Sequence, residues 1–242
     1  MLVRLYLSSF RLGTAPEQLT RLVGAGGRVG VVVNAIDDEP AEVRAAKLDH
    51  EFQALQTLDL SPVEIDLRGY FGGDDTALRN QLELLDGLWV RGGNVFTLRV
   101  AMRESQADGL IPRLLEEDRL VYAGYSAGPC VLAPSLDGLE TVDDPTGPER
   151  AYGLPAVMTG LGVLDYAIVP HVDSVTHPEG NGLDVLSRRY ESDNIPFQPL
   201  RDGQALVIDG GAAVIVGAPA TVEDLLYRSE RAESGPSGPA GS

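Results

Sequence analysis

Short apolar runs without polar alternation take turns along this chain with longer stretches in which apolar residues recur at helical spacing. Met1 to Ser8 reads as a first strand, and Arg28 to Asn34 (RVGVVVN) as a second, bounded by Gly26-Gly27 and the acidic turn Asp37-Asp38-Glu39-Pro40. Pro40 opens a helical pattern over Ala41 to Leu58, since its fixed φ suits a first turn. Val63 to Leu67 predicts a third strand, Asp74-Asp75 cap a helix running to about Leu85, and Gly87 to Val90 is a fourth strand. Thr97 to Glu117 reads as one helix, followed by a strand at Leu120 to Ala123. Strands buried on both faces and separated by helices predict an α/β fold with a mostly parallel sheet.

Beyond Ala167 the texture changes. Ala167–Val169, Ala205–Ile208 and Ala213–Val216 are short strands joined in part by turns at Asp202-Gly203 and Asp209-Gly210-Gly211, which predicts an antiparallel edge. At 242 residues the chain suits one domain, taken as 1–232. The segment 233–242, rich in Gly, Ser and Pro and without large apolar residues, is expected to be a disordered tail.

A net charge of −17 argues against nucleic acid and anionic membranes as partners. No apolar run approaches the roughly 18 residues of a membrane span, and the N-terminus lacks a signal-peptide pattern, so a cytoplasmic protein is expected. The single cysteine, Cys130, lies in apolar company and reads as a core thiol.

The candidate chemistry centres on Gly124-Tyr125-Ser126-Ala127-Gly128, placed between a buried strand and a small-residue helix start. Gly-x-Ser-x-Gly in that context is the nucleophile-elbow pattern, in which a sharp turn lifts the serine hydroxyl out of the sheet. A serine needs a base. Of three histidines, His50 sits in a charged helix and His177 in a loop, while His171 leaves a strand end, where α/β sites form. The base needs a carboxylate. Between Ser126 and His171 stand Asp137, Glu140, Asp143, Asp144, Glu149 and Asp165, and the return from the elbow helix favours Glu140, Asp143 and Asp144. Arg91-Gly92-Gly93-Asn94 repeats the strand-to-turn logic, with Asn94 a candidate N-cap and glycine N–H groups open to an anion.

Gly92-Gly93-Asn94-Val95-Phe96, Gly124-Tyr125-Ser126-Ala127-Gly128 and Val169-Pro170-His171 together resemble the peptidase E and cyanophycinase family of serine peptidases, over roughly Met1 to Pro219. The resemblance implies a class I glutamine-amidotransferase-like fold. It implies Ser126 as nucleophile, His171 as base, and the backbone of Gly93 and Ala127 as oxyanion donors, with Gly92 and Asn94 joining them in the oxyanion and substrate-binding turn. It places the triad acid on Glu140, with Asp144 as the alternative. The family's aspartate-binding arginine has no counterpart in Pro178 to Val185; Arg188 and Arg189 follow.

The expected activity is therefore that of a serine exopeptidase, dipeptidase E-like, hydrolysing short peptides through an acyl-enzyme. Another acyl hydrolase on the same fold (esterase, amidase or cyanophycinase-like) and a non-enzymatic binding module are the alternatives. No cofactor is expected, and no metal, because the histidines and the cysteine show no ligand spacing. The resemblance also allows a homodimer.

Overall fold

The computed structural model describes residues 3–226. In chain order, β1 (Arg4–Ser8), α1 (Glu17–Val23), β2 (Arg28–Val32), α2 (Ala41–Gln56), β3 (Ser61–Glu64), α3 (Thr76–Leu82) and β4 (Gly87–Val90) form the first part. The central part is α4 (Val95–Glu104), α5 (Ala107–Glu116), β5 (Val121–Tyr125), α6 (Ala127–Cys130) and α7 (Gly147–Tyr152). The chain continues as β6 (Ala167–Val169), α8 (Gly180–Ser192), β7 (Phe197–Pro199), β8 (Ala205–Asp209) and β9 (Ala212–Val216).

Seven strands make one sheet in the order β3-β2-β4-β5-β1-β8-β9, with β1 to β5 parallel and β8 and β9 forming an antiparallel edge. This is the expected α/β fold. Its two faces are covered by separate apolar layers. Leu19, Leu22 and Leu55 of α1 and α2 pack over Val31, Trp89 and Ala123 on one side. Phe96, Leu98, Leu110 and Leu114 of α4 and α5 pack over Leu5, Val90 and Tyr122 on the other. Successive strand residues point to opposite faces, so a strand covered twice has to be apolar throughout.

Three local expectations change. The third strand lies at Ser61–Glu64, and Leu67 instead begins a 3-10 turn. The single helix expected over Thr97–Glu117 is two, broken at Ser105-Gln106, where Gln106 adopts φ 62° and the Ser105 hydroxyl bonds back to the Ala101 carbonyl. The strand that precedes His171 is not in the main sheet; β6 pairs with β7, in parallel, as a separate two-stranded ribbon. Met1, Leu2 and the expected tail 233–242 lie outside the described residues. Among the described residues no helix is long and apolar enough to cross a membrane.

Candidate active site

The parallel strands β4, β5 and β1 all release their chains at the same end of the sheet. In register, Val90 lies beside Gly124, and Tyr125 beside Ser8. The turn Arg91-Gly92-Gly93, the residue Ser126 and the pair Ser9-Phe10 therefore emerge side by side. Because β8 runs antiparallel to β1, with Ala205 opposite Ser8, the loop that enters β8 reaches that end too. That loop carries Asp202.

Ser126 sits at the strand-to-helix turn with φ 53° and ψ −112°, a conformation that costs a non-glycine residue energy. The strain is held by its surroundings. The Ser126 N–H donates to the Ser8 carbonyl at 3.3 Å, and α6 begins at once with Ala127. Gly124 and Gly128 flank the turn because it presses on β4. A Cβ on either would come within 2.3 or 2.5 Å of the Val90 carbonyl oxygen. A Cβ on Gly92 would meet Ser126 Cβ at 2.8 Å, so the Gly92-Gly93 turn lies against the serine. Gly93 holds φ 140°, a glycine conformation, with the Ala35 carbonyl just behind it. Asn94 caps α4 by accepting from the Thr97 N–H at 2.9 Å.

Beneath the elbow, Tyr125 donates to Glu51 at 2.7 Å and Trp89 Nε1 donates to the other Glu51 oxygen at 2.8 Å. Arg91 stands 3.2 Å from the same carboxylate. A buried acid with two donors and a cation is a satisfied one, and it fixes the floor of the site.

His171 follows β6 with φ 57° and is 1% exposed. Its Nδ1 lies 2.6 Å from Asp202 Oδ1, and Asp202 is equally buried. The two come together because β6 and β7 are parallel, with Val169 opposite Pro199, so both chains leave the ribbon at one end. Ser9 locks the pair: its hydroxyl accepts from the His171 N–H at 2.9 Å and donates to Asp202 Oδ1 at 2.8 Å. Burial pushes the Asp202 carboxyl up, but the hydrogen bond and charge of His171 and the Ser9 hydroxyl outweigh it, leaving the carboxyl below its ordinary range. His171 Nε2 is buried and has no hydrogen-bond partner among the described residues. α6 approaches β6 directly, with Cys130 Sγ donating to the Ile168 carbonyl at 3.4 Å, which ties the elbow helix to the strand that delivers His171. Burial pushes the Cys130 thiol up, consistent with a packed core group.

Glu140, expected beside His171, is not there. Its carboxylate accepts from the Gly138 N–H at 2.6 Å, stands 4.0 Å from Arg189, and is exposed. The short turn Leu139–Thr141 that carries it packs against α8 instead of returning to the sheet end. The alternative, Asp144, is also engaged elsewhere. Hydrogen bonds from Thr146 and Arg150 hold it down to about 2, at the surface. Asp143 has a different part: it accepts from the Val95 N–H at 2.8 Å, and Asn94 donates to the Asp144 carbonyl at 2.7 Å, so this turn tethers the Gly92-Gly93-Asn94 turn. Burial, with the charges of Glu179 and Asp38, raises Asp143 to about 7.

Asp202 follows His171 in the chain, outside the interval from Ser126 to His171 in which the triad acid is expected. The one available signal was Asp202-Gly203 opening a strand, which also reads as a plain turn. His50, expected on a solvated helix face, is exposed there. His177 is half-buried and stacks on His171, with ring centroids 3.5 Å apart and planes 6° apart. Phe10 meets both rings edge-on, at 5.9 Å and 5.4 Å.

A strained serine on a strand-to-helix turn and a buried histidine–carboxylate pair, tied to the same end of a mostly parallel sheet through Ser8 and Ser9, are groups of the kind serine hydrolases use. The comparisons narrow that class. Residues 44–216 match the model of peptidase family S51, and the chain belongs to that family of serine peptidases. It is 31% identical to peptidase E of Streptomyces coelicolor over 212 residues, which cover 84% of this chain and 76% of the relative. An uncharacterised peptidase of Listeria monocytogenes is 28% identical over 127 residues, covering 52% of this chain and 58% of that one. Two crystal structures share the fold. A protein described as a candidate peptidase E from L. monocytogenes superposes with a TM-score of 0.72 at 22% identity, covering 90% of this chain and all of that one. A peptidase from an acI-B1 actinobacterium gives a TM-score of 0.65 at 14% identity, covering 90% and 88%.

Proposed function

We propose that this protein is a serine exopeptidase acting on very short peptides, with Ser126, His171 and Asp202 as its triad. The observation that carries the reading is the buried His171–Asp202 hydrogen bond at 2.6 Å, with Nε2, on the other side of the ring, unpartnered among the described residues. A carboxylate accepting from Nδ1–H fixes the tautomer that puts the Nε2 lone pair toward a nucleophile.

In this reaction Ser126 Oγ attacks the scissile carbonyl while His171 Nε2 takes its proton. The N–H groups of Gly93 and Ala127 receive the developing oxyanion, as their placement beside Ser126 supports. His171 then gives its proton to the leaving amine, and a water deprotonated by the same nitrogen releases the acyl group. Asp202 stays ionised throughout and stabilises the imidazolium.

Acidic substrates need a cation, because a carboxylate taken out of water without one is costly. Arg188 and Arg189 are exposed, and Arg189 lies near Asp193 and Glu140. Arg11 is better placed. It is half-buried, stacks 5.7 Å over the Phe10 ring that touches His171, and has no hydrogen bond or ion pair to the described residues. Arg11 is the group that would receive an acidic side chain of the substrate.

The test is hydrolysis of a dipeptide panel (Asp-X, Gly-X, Ala-X and β-Asp-Arg) by wild type and Ser126→Ala, with fluorophosphonate labelling of both. Turnover and labelling that vanish together in the variant support the proposal. A folded wild type that neither labels nor turns over any peptide refutes it.

A further inference from the structure

One short segment brings three groups able to ligate a metal close together. His171, His177 and Glu179 each present a donor atom, and the three atoms lie within 4.8 Å of one another. Asp202 occupies His171 Nδ1, so Nε2 is the atom left to ligate a metal, and it is buried without a partner among the described residues. His177 Nδ1 accepts the Glu179 N–H at 3.3 Å, which leaves His177 Nε2 as its outward donor. The Glu179 carboxylate is half-buried and receives no hydrogen bond from the described residues.

We propose that His171 Nε2, His177 Nε2 and the Glu179 carboxylate bind a divalent transition-metal cation of the zinc class, and that this ion reversibly switches the site off. Two imidazoles and one carboxylate, with a fourth position open, are a donor set that zinc and cobalt accept. Ligand atoms in a tetrahedral site stand about 3.3 Å apart, given bonds of roughly 2.0–2.1 Å. Closing the present spacing therefore asks for a movement of about an ångström or two. Half-buried His177 and Glu179 can supply it, with the His177 ring swinging out of its parallel stack, whereas His171 is pinned by Asp202 and Ser9. Asp202 behind Nδ1 completes a carboxylate–histidine–metal arrangement, which orients the ligand and raises its basicity.

One lone pair cannot both hold an ion and accept the proton of Ser126. Metal occupancy and catalysis exclude each other, so the ion inhibits. The consequence for activity rests on the Ser126–His171 reading; the binding itself does not. The linear spacing gives no metal signature because the base enters the donor set only through the left-handed turn at His171, which folds the next residues back over its ring.

The experiment titrates the full chain with Zn²⁺ by calorimetry and with Co²⁺ by visible absorption, in wild type, Ser126→Ala, His177→Ala and Glu179→Gln. Expected are one ion per chain, tetrahedral Co²⁺ bands in wild type and Ser126→Ala, and affinity reduced about tenfold or more in the other two variants. Zn²⁺ should inhibit peptide hydrolysis by wild type over the same concentration range in which it binds. Should His177→Ala fail to fold, His177→Gln serves for the same comparison. Absence of a stoichiometric ion, or equal affinity with and without His177, overturns the proposal. A persisting Co²⁺ site in a protein that hydrolyses no peptide would sink the peptidase reading and the switch with it, and leave the metal site standing.

Discussion

His171 and Asp202, 31 residues apart, share a hydrogen bond of 2.6 Å in a pocket where each is 1% exposed. Parallel pairing of two three-residue strands brings them there, and neither strand belongs to the main sheet. Asp202→Asn should therefore cost about 10³- to 10⁴-fold in kcat, because an amide can support the wrong tautomer of the base. Glu140→Gln, at an exposed position, should stay within a factor of about two or three. Steady-state kinetics on one dipeptide decides; the reverse ranking would return the acid to Glu140.

Ser9 joins both partners through a single hydroxyl. Ser9→Ala leaves the His171 N–H without its acceptor and removes a donor from Asp202. Stability should fall by about 1–3 kcal/mol, the usual penalty for a buried polar group left unpaired. A loosened base should also lower kcat about ten- to a hundredfold with little change in KM. Chemical denaturation and kinetics on one preparation separate the two effects, and an unchanged kcat would show that Asp202 alone orients the ring.

The Gly93 turn can be probed by the smallest side chain. Gly93→Ala adds a Cβ that would stand 2.7 Å from the Ala35 carbonyl oxygen, at φ 140°. The turn has to move, and its N–H with it. Loss of one oxyanion donor is worth about 10²- to 10³-fold in kcat. Fluorophosphonate labelling of Ser126 should slow in parallel; full-speed turnover would place the oxyanion elsewhere.

Asp143 gives the stability of the fold a pH dependence. Its carboxyl titrates near 7 in the folded chain, raised by burial and by Glu179 and Asp38. In an unfolded chain the value is about 3.9. The folded state thus holds the extra proton, so this contribution is fully present below about pH 4 and is lost as pH rises through 7. Asp143→Asn does not titrate and should flatten that decline. Thermal melts of both proteins at pH 5 and pH 8 test it; equal slopes would mean that Asp143 is ionised in both states.

Arg11 should separate acidic from neutral substrates. Arg11→Gln removes the charge but keeps most of the stem lying over Phe10. KM for Asp-X dipeptides should rise about tenfold or more, while Ala-X is little affected. Equal changes for both substrates would make Arg11 a packing residue.

The sequence alone determined the α/β sheet, its antiparallel edge and the turn around Ser126, because these follow from local rules. A strand buried on both faces must be free of charge where it is buried, as in Val29–Val32, beyond the exposed Arg28, and in Val121–Tyr125. A turn pressed against Val90 must have glycine on both sides. The break at Gln106 was less legible, since both halves of that stretch carry the same helical period and one left-handed residue separates them. Tertiary structure decided the partner of His171. Carboxylates are frequent in this acidic chain, and each has a local role available to it: Glu140 bonds within its own turn and Asp144 binds Arg150. What distinguishes Asp202 is burial and the register of β6 on β7, a pairing across residues far apart in the chain. Long-range pairing of that kind leaves no periodicity in the sequence, and only the folded chain places Asp202 behind the base.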